Sequence, residues 1–138
     1  MTVIEKAADL TGRILIAGMF VIAGVSKIGT FAGTQGYMAS AGVPGALLPA
    51  VIALEVLGGI ALILGYRTSI VAIALAGFTV VAAFLFHGAP DQMQQTMFMK
   101  NLAITGGLLI LASRGAGSWS LDGRNTRLSS PGDVLRNA

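Results

Sequence analysis

Four stretches of this chain carry almost no charge, and each approaches the length of a bilayer-crossing helix. Residues 14–26 are uncharged between Arg13 and Lys27, and helical sequence can extend them back toward Val3. Residues 46–64 form a run of 19 with a single charge, Glu55. Residues 70–86 form a run of 17 with none. Residues 101–113 are also uncharged, and 96–99 can lengthen them. About 20 helical residues, each rising ~1.5 Å, cross a hydrocarbon core of ~30 Å. None of these runs alternates strictly between apolar and polar, which argues against a barrel. Hydrocarbon offers the backbone no outside hydrogen-bond partner, which leaves helices. The predicted fold is all-α: an integral membrane four-helix bundle over residues 1–114, then a mostly flexible cytoplasmic tail over 115–138.

Composition agrees. Hydrophobic residues make up 54% of the 138 and charged residues only 11%, against about 25% charged in soluble domains. Such a chain cannot cover a water-soluble surface, and it is too apolar to stay unfolded. The formal charge of +3 is too small to indicate nucleic acid as a partner. With no cysteine, the chain has no thiol chemistry of its own and cannot ligate an iron–sulfur cluster through thiolates. The first apolar run is read as a retained span: the small-residue triplet Ala39-Ser40-Ala41 lies far beyond its end, and Glu5 and Asp9 interrupt a signal-like basic flank.

Basic residues set the expected orientation. With four spans, Lys6, Arg13, Arg67, Arg114, Arg124, Arg127 and Arg136 fall on one side, and Lys27 and Lys100 on the other. The positive-inside rule then places both termini in the cytoplasm. Tyr66 and Trp119 fall near one boundary and Tyr37 near the other. On the outer side, residues 34–40 read as a short interfacial helix, Pro44 as the start of the second span, and 88–99 as a Gln-rich connection.

Ionisable groups at membrane depth are the natural functional candidates. Glu55 stands mid-span, ~14 Å from either end, with Gly58 and Gly59 on the same helical face. Arg13 and Lys27 share one face of the first helix, ~21 Å apart, and either could reach Glu55. Arg13 also has a local alternative, since Asp9 lies at i−4. His87 ends the third span and Lys100 opens the fourth, next to Asn101. Lys27, Glu55, His87 and Lys100 should therefore converge in the outer half of the bundle, each from a different helix. No catalytic residue is assigned and no metal site is expected: one His cannot supply two-His haem ligation, and no nucleotide loop, nucleophile elbow or metal-ligand spacing occurs.

Taken in order, these residues resemble the DoxX family of small bacterial inner-membrane proteins. The similarity runs from about Leu10 to Asp122. It includes Arg13, Gly24-Val25-Ser26-Lys27, Gln35-Gly36-Tyr37-Met38, Gly42-Val43-Pro44-Gly45 and Glu55-Val56-Leu57-Gly58-Gly59. It continues through Gly65, Ala83-Phe84-Leu85-Phe86-His87 and Met97-Phe98-Met99-Lys100-Asn101, with Gly106-Gly107, and ends on Gly115-Ala116-Gly117 and Ser120-Leu121-Asp122. The resemblance implies a four-helix inner-membrane bundle. The family takes its name from subunits linked to quinone-reducing sulfur oxidation; this chain holds only the bundle, so thiosulfate oxidation is not carried over.

The expected function is therefore a site for a quinone or a similar amphipathic molecule, in a subunit that assists membrane redox chemistry. No cofactor is assigned beyond a candidate quinone. Lys27, Lys100, His87 and Asn101 would donate to its carbonyls, and Glu55 and His87 would exchange protons. The alternatives are a proton-coupled carrier subunit with Glu55 as the coupling carboxylate, and a non-catalytic membrane scaffold. Lipid is the expected surround, with a homo-oligomer or a membrane redox partner as further partners.

Overall fold

A computed structural model describes residues 1–128. Among the described residues six α-helices follow one another: α1 (Val3–Gly29), α2 (Phe31–Ser40), α3 (Leu48–Leu64), α4 (Thr68–Phe86), α5 (Gln92–Arg114) and α6 (Leu121–Leu128). A 3-10 turn at Gly45–Leu47 leads into α3. Four helical runs among the described residues are long and apolar enough to cross a membrane: Val3–Gly29, Gly45–Leu64, Thr68–Phe86 and Gln92–Arg114. The architecture is the all-α membrane bundle that the apolar runs predict.

The helix ends explain where the boundaries differ from hydropathy alone. Helix α1 starts at Val3 because Thr2 and Glu5 form a reciprocal capping box: the Glu5 amide donates to Thr2 Oγ1 and the Thr2 amide to Glu5 Oε2. Helix α5 starts at Gln92, well before its apolar part, because the Asp91 carboxylate accepts from the Gln94 amide at 3.0 Å. The Gln-rich connection expected over 88–99 is thus mostly helix, and only 87–91 remain between α4 and α5. Pro44, with ψ 126°, stands at the N-cap of the 3-10 turn with which the second span opens, and Pro49 occupies the first turn of α3.

Helix α1 packs along α3, α4 packs along α5, and the α3–α4 contact joins the two pairs. Ala17, Phe20, Leu62, Ala72, Leu75, Ala76 and Leu108 form the shared core. Outward, Ile22, Leu57, Ile70 and Ile110 are exposed, as suits a surface facing lipid tails. The α1–α3 approach depends on two glycines. A Cβ on Gly24 would meet Val56 Cγ2 at 2.6 Å, and one on Gly59 would meet Val21 Cγ2 at 2.6 Å and the Ala17 carbonyl oxygen at 2.9 Å. Gly58 instead faces Leu75 of α4, so the Gly58–Gly59 pair serves two neighbours rather than one.

At the end of the bundle holding both Met1 and α6, the post-α5 segment is tied to the α3–α4 turn. The Asp122 amide donates to the Gly65 carbonyl at 2.9 Å. The Asp122 carboxylate accepts from the Arg67 and Thr68 amides at 2.9 and 2.8 Å, covering the first turn of α4. Burial works to raise this carboxyl, but the hydrogen bonds from Thr68 and Arg67 and the charge of Arg13 outweigh it and hold it below the usual aspartate value. Trp119 and Leu121 remain partly exposed here. Of the tail read as mostly flexible, residues 117–122 make hydrogen bonds to the bundle, and 129–138 lie outside the described residues.

Candidate functional site

Glu55 and Lys27 meet across the α1–α3 contact. The close approach at Gly24 brings the helices together one turn from Lys27, and the ammonium then lies 2.9 Å from both Glu55 carboxylate oxygens. Glu55 is 4% exposed, whereas the Lys27 side chain is 28% exposed. The pair therefore has a dry side against the core and an open side. Of the two cations that could have reached Glu55, Lys27 is the one that does.

The open side is a cavity of about 440 Å³, within the ~300–1,000 Å³ typical of small-molecule sites. All five spanning or interfacial helices contribute to it. Helix α1 supplies Phe20 and Lys27, α2 supplies Thr34, Tyr37 and Met38, and α3 supplies Val51 and Glu55. Helix α4 supplies Phe78, Thr79 and Phe86, with His87 at its end, and α5 supplies Lys100 and Asn101. Five of the six residues singled out from the sequence thus line one hollow. Its walls are mostly apolar and aromatic, with a few polar groups at the α2 end, the usual make-up of a pocket for an amphipathic ligand.

Helix α2 lies over this cavity. Tyr37 stacks on Phe86 with ring centroids 5.3 Å apart, and the Gln35 side-chain amide donates to the Gly45 carbonyl at 3.1 Å. These contacts tie α2 to α4 and to the turn before α3. His87 Nδ1 lies 2.7 Å from Gln94 Oε1, which fixes the ring against the first turn of α5. With that oxygen as acceptor, Nδ1 carries the hydrogen, and in the neutral ring Nε2 is the acceptor. Gln94 and Tyr37 were not among the sequence candidates for this site. Tyr37 gave only the signal of an interfacial aromatic, and Gln94 becomes visible only once α5 is known to start at Gln92. Glu55 and His87 share the cavity, but among the described residues no three potential metal ligands are gathered.

Arg13 lies elsewhere. It is 1% exposed and sits toward the opposite end of α1. Its Nε donates to Asp9 at 3.0 Å, Nη1 to the Leu62 and Ile63 carbonyls at 2.9 Å each, and Nη2 to the Trp119 carbonyl at 2.6 Å. Asp9 Oδ2 also accepts from the Gly117 amide at 3.0 Å. The guanidinium thus satisfies carbonyls in the last turn of α3 and holds the post-α5 segment. A wider, more open hollow of about 900 Å³ adjoins this network, between Met1, Asp9 and Arg114. Its central carboxylate is already committed to Arg13 and Gly117, so the smaller α2-end cavity is the better candidate site.

The DoxX family model matches residues 8–88, which is more than half of the chain. This chain belongs to the DoxX family. The match contains Arg13, Lys27, Glu55 and His87, so the ion pair and three of the five cavity-lining residues singled out from the sequence lie inside the family region. Among curated relatives, it is 47% identical over 123 residues to the inner membrane protein YqjF of Escherichia coli (strain K12), covering 88% of this chain and 95% of that protein. It is 37% identical over 123 residues to the inner membrane protein YphA of the same organism, covering 83% and 88%. No solved structure matches. With four apolar helices and these relatives, this DoxX-family chain is a multi-pass protein of the inner membrane.

Proposed function

We propose that this DoxX-family protein binds an amphipathic small molecule, in the first instance a quinone, in the cavity at the α2 end, and that it assists membrane redox chemistry as a subunit. The observation that carries this reading is the gathering of Lys27, Glu55, His87, Lys100 and Asn101 around one largely apolar hollow. A quinone needs hydrogen-bond donors at its carbonyls, and Lys27, Lys100 and Asn101 are donors. Its reduction takes up protons, and His87 with an acceptor Nε2, or Glu55, is placed to exchange them. The isoprenoid tail would run along the aromatic wall and leave between helices. In this reading both termini face the cytoplasm, which the distribution of basic residues supports, and the cavity opens on the outer half of the membrane. A lipid surround is inherent in it, and a homo-oligomer or a redox partner would complete the electron path.

The test is the ultraviolet spectrum and mass spectrum of small molecules that copurify in mild detergent. A stoichiometric quinone is expected, and Glu55→Gln should lose it while staying folded. Bulk phospholipid alone, with no quinone taken up on addition, would overturn the quinone form. Proton flux in liposomes would then separate a carrier, with Glu55 as the coupling carboxylate, from a scaffold.

A further inference from the structure

We infer that the cavity selects an amphiphile whose head group is anionic, with Lys100 as its counter-ion; this deepens the small-molecule reading above and rests on it. The reasoning starts from which charges around the hollow are already balanced. Lys27 and Glu55 neutralise each other, with the ammonium 2.9 Å from both oxygens. Lys100 is different. It lines the same cavity, yet no carboxylate lies within ion-pair distance of it among the described residues.

Lys100 stands where the apolar part of α5 begins and lines the cavity, so an amphiphile that fills the hollow displaces water from around its ammonium. An ammonium on a membrane-crossing helix is unfavourable without a counter-charge or water. Each ionisable group facing the hollow bears on the count. Glu55 is taken by Lys27, while His87 is neutral or positive and Asn101 is uncharged. Asp91, just before α5, accepts from the Gln94 amide and does not line the cavity. The lining therefore carries one unbalanced positive charge with His87 neutral, and two with it protonated. A neutral head would leave that charge in place, whereas an anionic head cancels it. The Asn101 amide can add a hydrogen bond on the same wall. The apolar body then lies against Phe20, Phe78 and Phe86. The same chemistry describes an ionised hydroxyquinone, a long-chain carboxylate or the phosphate of an acidic phospholipid.

The experiment compares matched probes on the purified full chain in mild detergent. One pair is a decyl-substituted hydroxynaphthoquinone, ionised at neutral pH, and its methyl ether; the other is dodecanoate and dodecanol. Affinity is read by native mass spectrometry and by ligand-induced thermal shift. The anionic member of each pair should bind about tenfold tighter or more, as expected for a partly desolvated charge-assisted contact. Lys100→Gln should abolish that difference, and Lys100→Arg should keep it. Lys100 is exposed, so both variants should fold, with helical circular dichroism as the check. Equal affinities within both pairs would overturn the anionic assignment while leaving the cavity reading intact. Failure of all four probes would overturn both. Nanodiscs of phosphatidylglycerol and of phosphatidylcholine form the lipid arm. Lys100-dependent retention of phosphatidylglycerol, with no binding of the free acids, would support the anionic head and identify it as lipid, sinking the quinone reading.

Discussion

Arg13 and Lys27 share one face of α1, 14 residues apart, yet the two ends of the bundle use them in opposite ways. At the Arg13 end, a planar fork of donors meets three carbonyls and a carboxylate, and the chain closes over it. At the Lys27 end, an ammonium holds one carboxylate from one side and leaves a hollow on the other. Arginine suits the first role because its donors are fixed in a plane and match several acceptors at once. Lysine suits the second because a point charge can pair with one group and still turn another donor to a ligand. Full satisfaction at one end makes a lock, and partial satisfaction at the other makes a site.

That contrast can be broken most severely at Arg13. Arg13→Met strands Asp9 and removes the donors to Leu62, Ile63 and Trp119, and losing one partner of a buried charged network costs about 3–5 kcal/mol. Arg13→Lys should recover little of this, because it cannot reproduce the fork. Thermal melts in detergent should show both losses, and the fraction that remains folded should bind small molecules normally. A melt unchanged by Arg13→Met would remove the lock.

Glu55→Gln should be milder for the fold and harsher for binding. The pair it breaks is open on one side, so a loss of about 2 kcal/mol is expected, with part recovered in the double variant with Lys27→Met. Bound ligand should fall steeply. Strong destabilisation, rescue by Lys27→Met and undiminished ligand content together would make this end structural like the other.

Gly24→Ala tests the close approach that joins α1 to α3 near the site. The added methyl group must displace Val56, at a cost of about 1–2 kcal/mol, and it should weaken ligand binding more than the same change at Gly77, which has open space around it.

The smallest effect belongs to Asp122, whose removal should cost about 1 kcal/mol by uncapping α4. Its folded-state carboxyl lies below the ordinary aspartate value, so its contribution is complete above that value and is lost as pH falls through the folded one. Melting temperature should therefore drop below about pH 4, and Asp122→Ala should flatten that acid limb. Equal acid sensitivity in the variant would assign the limb to other carboxylates.

Hydropathy located all four spans, because crossing hydrocarbon demands long uncharged helices whatever their neighbours. It misjudged the start of α5, where the signal was a capping Asp91 ahead of polar residues. Helical periodicity also placed Lys27, Glu55, His87 and Lys100 toward one half of the bundle. It could not choose between Arg13 and Lys27 as the partner of Glu55, since both lie on the same face of α1. Only the packing of α1 on α3 through Gly24 and Gly59 decided that, by setting which turn of one helix lies beside which turn of the other. Likewise, Gln94 on His87 and Tyr37 on Phe86 depend on contacts between helices. A single chain's sequence encodes what each helix must bury, and the register between helices is settled only when their side chains interlock.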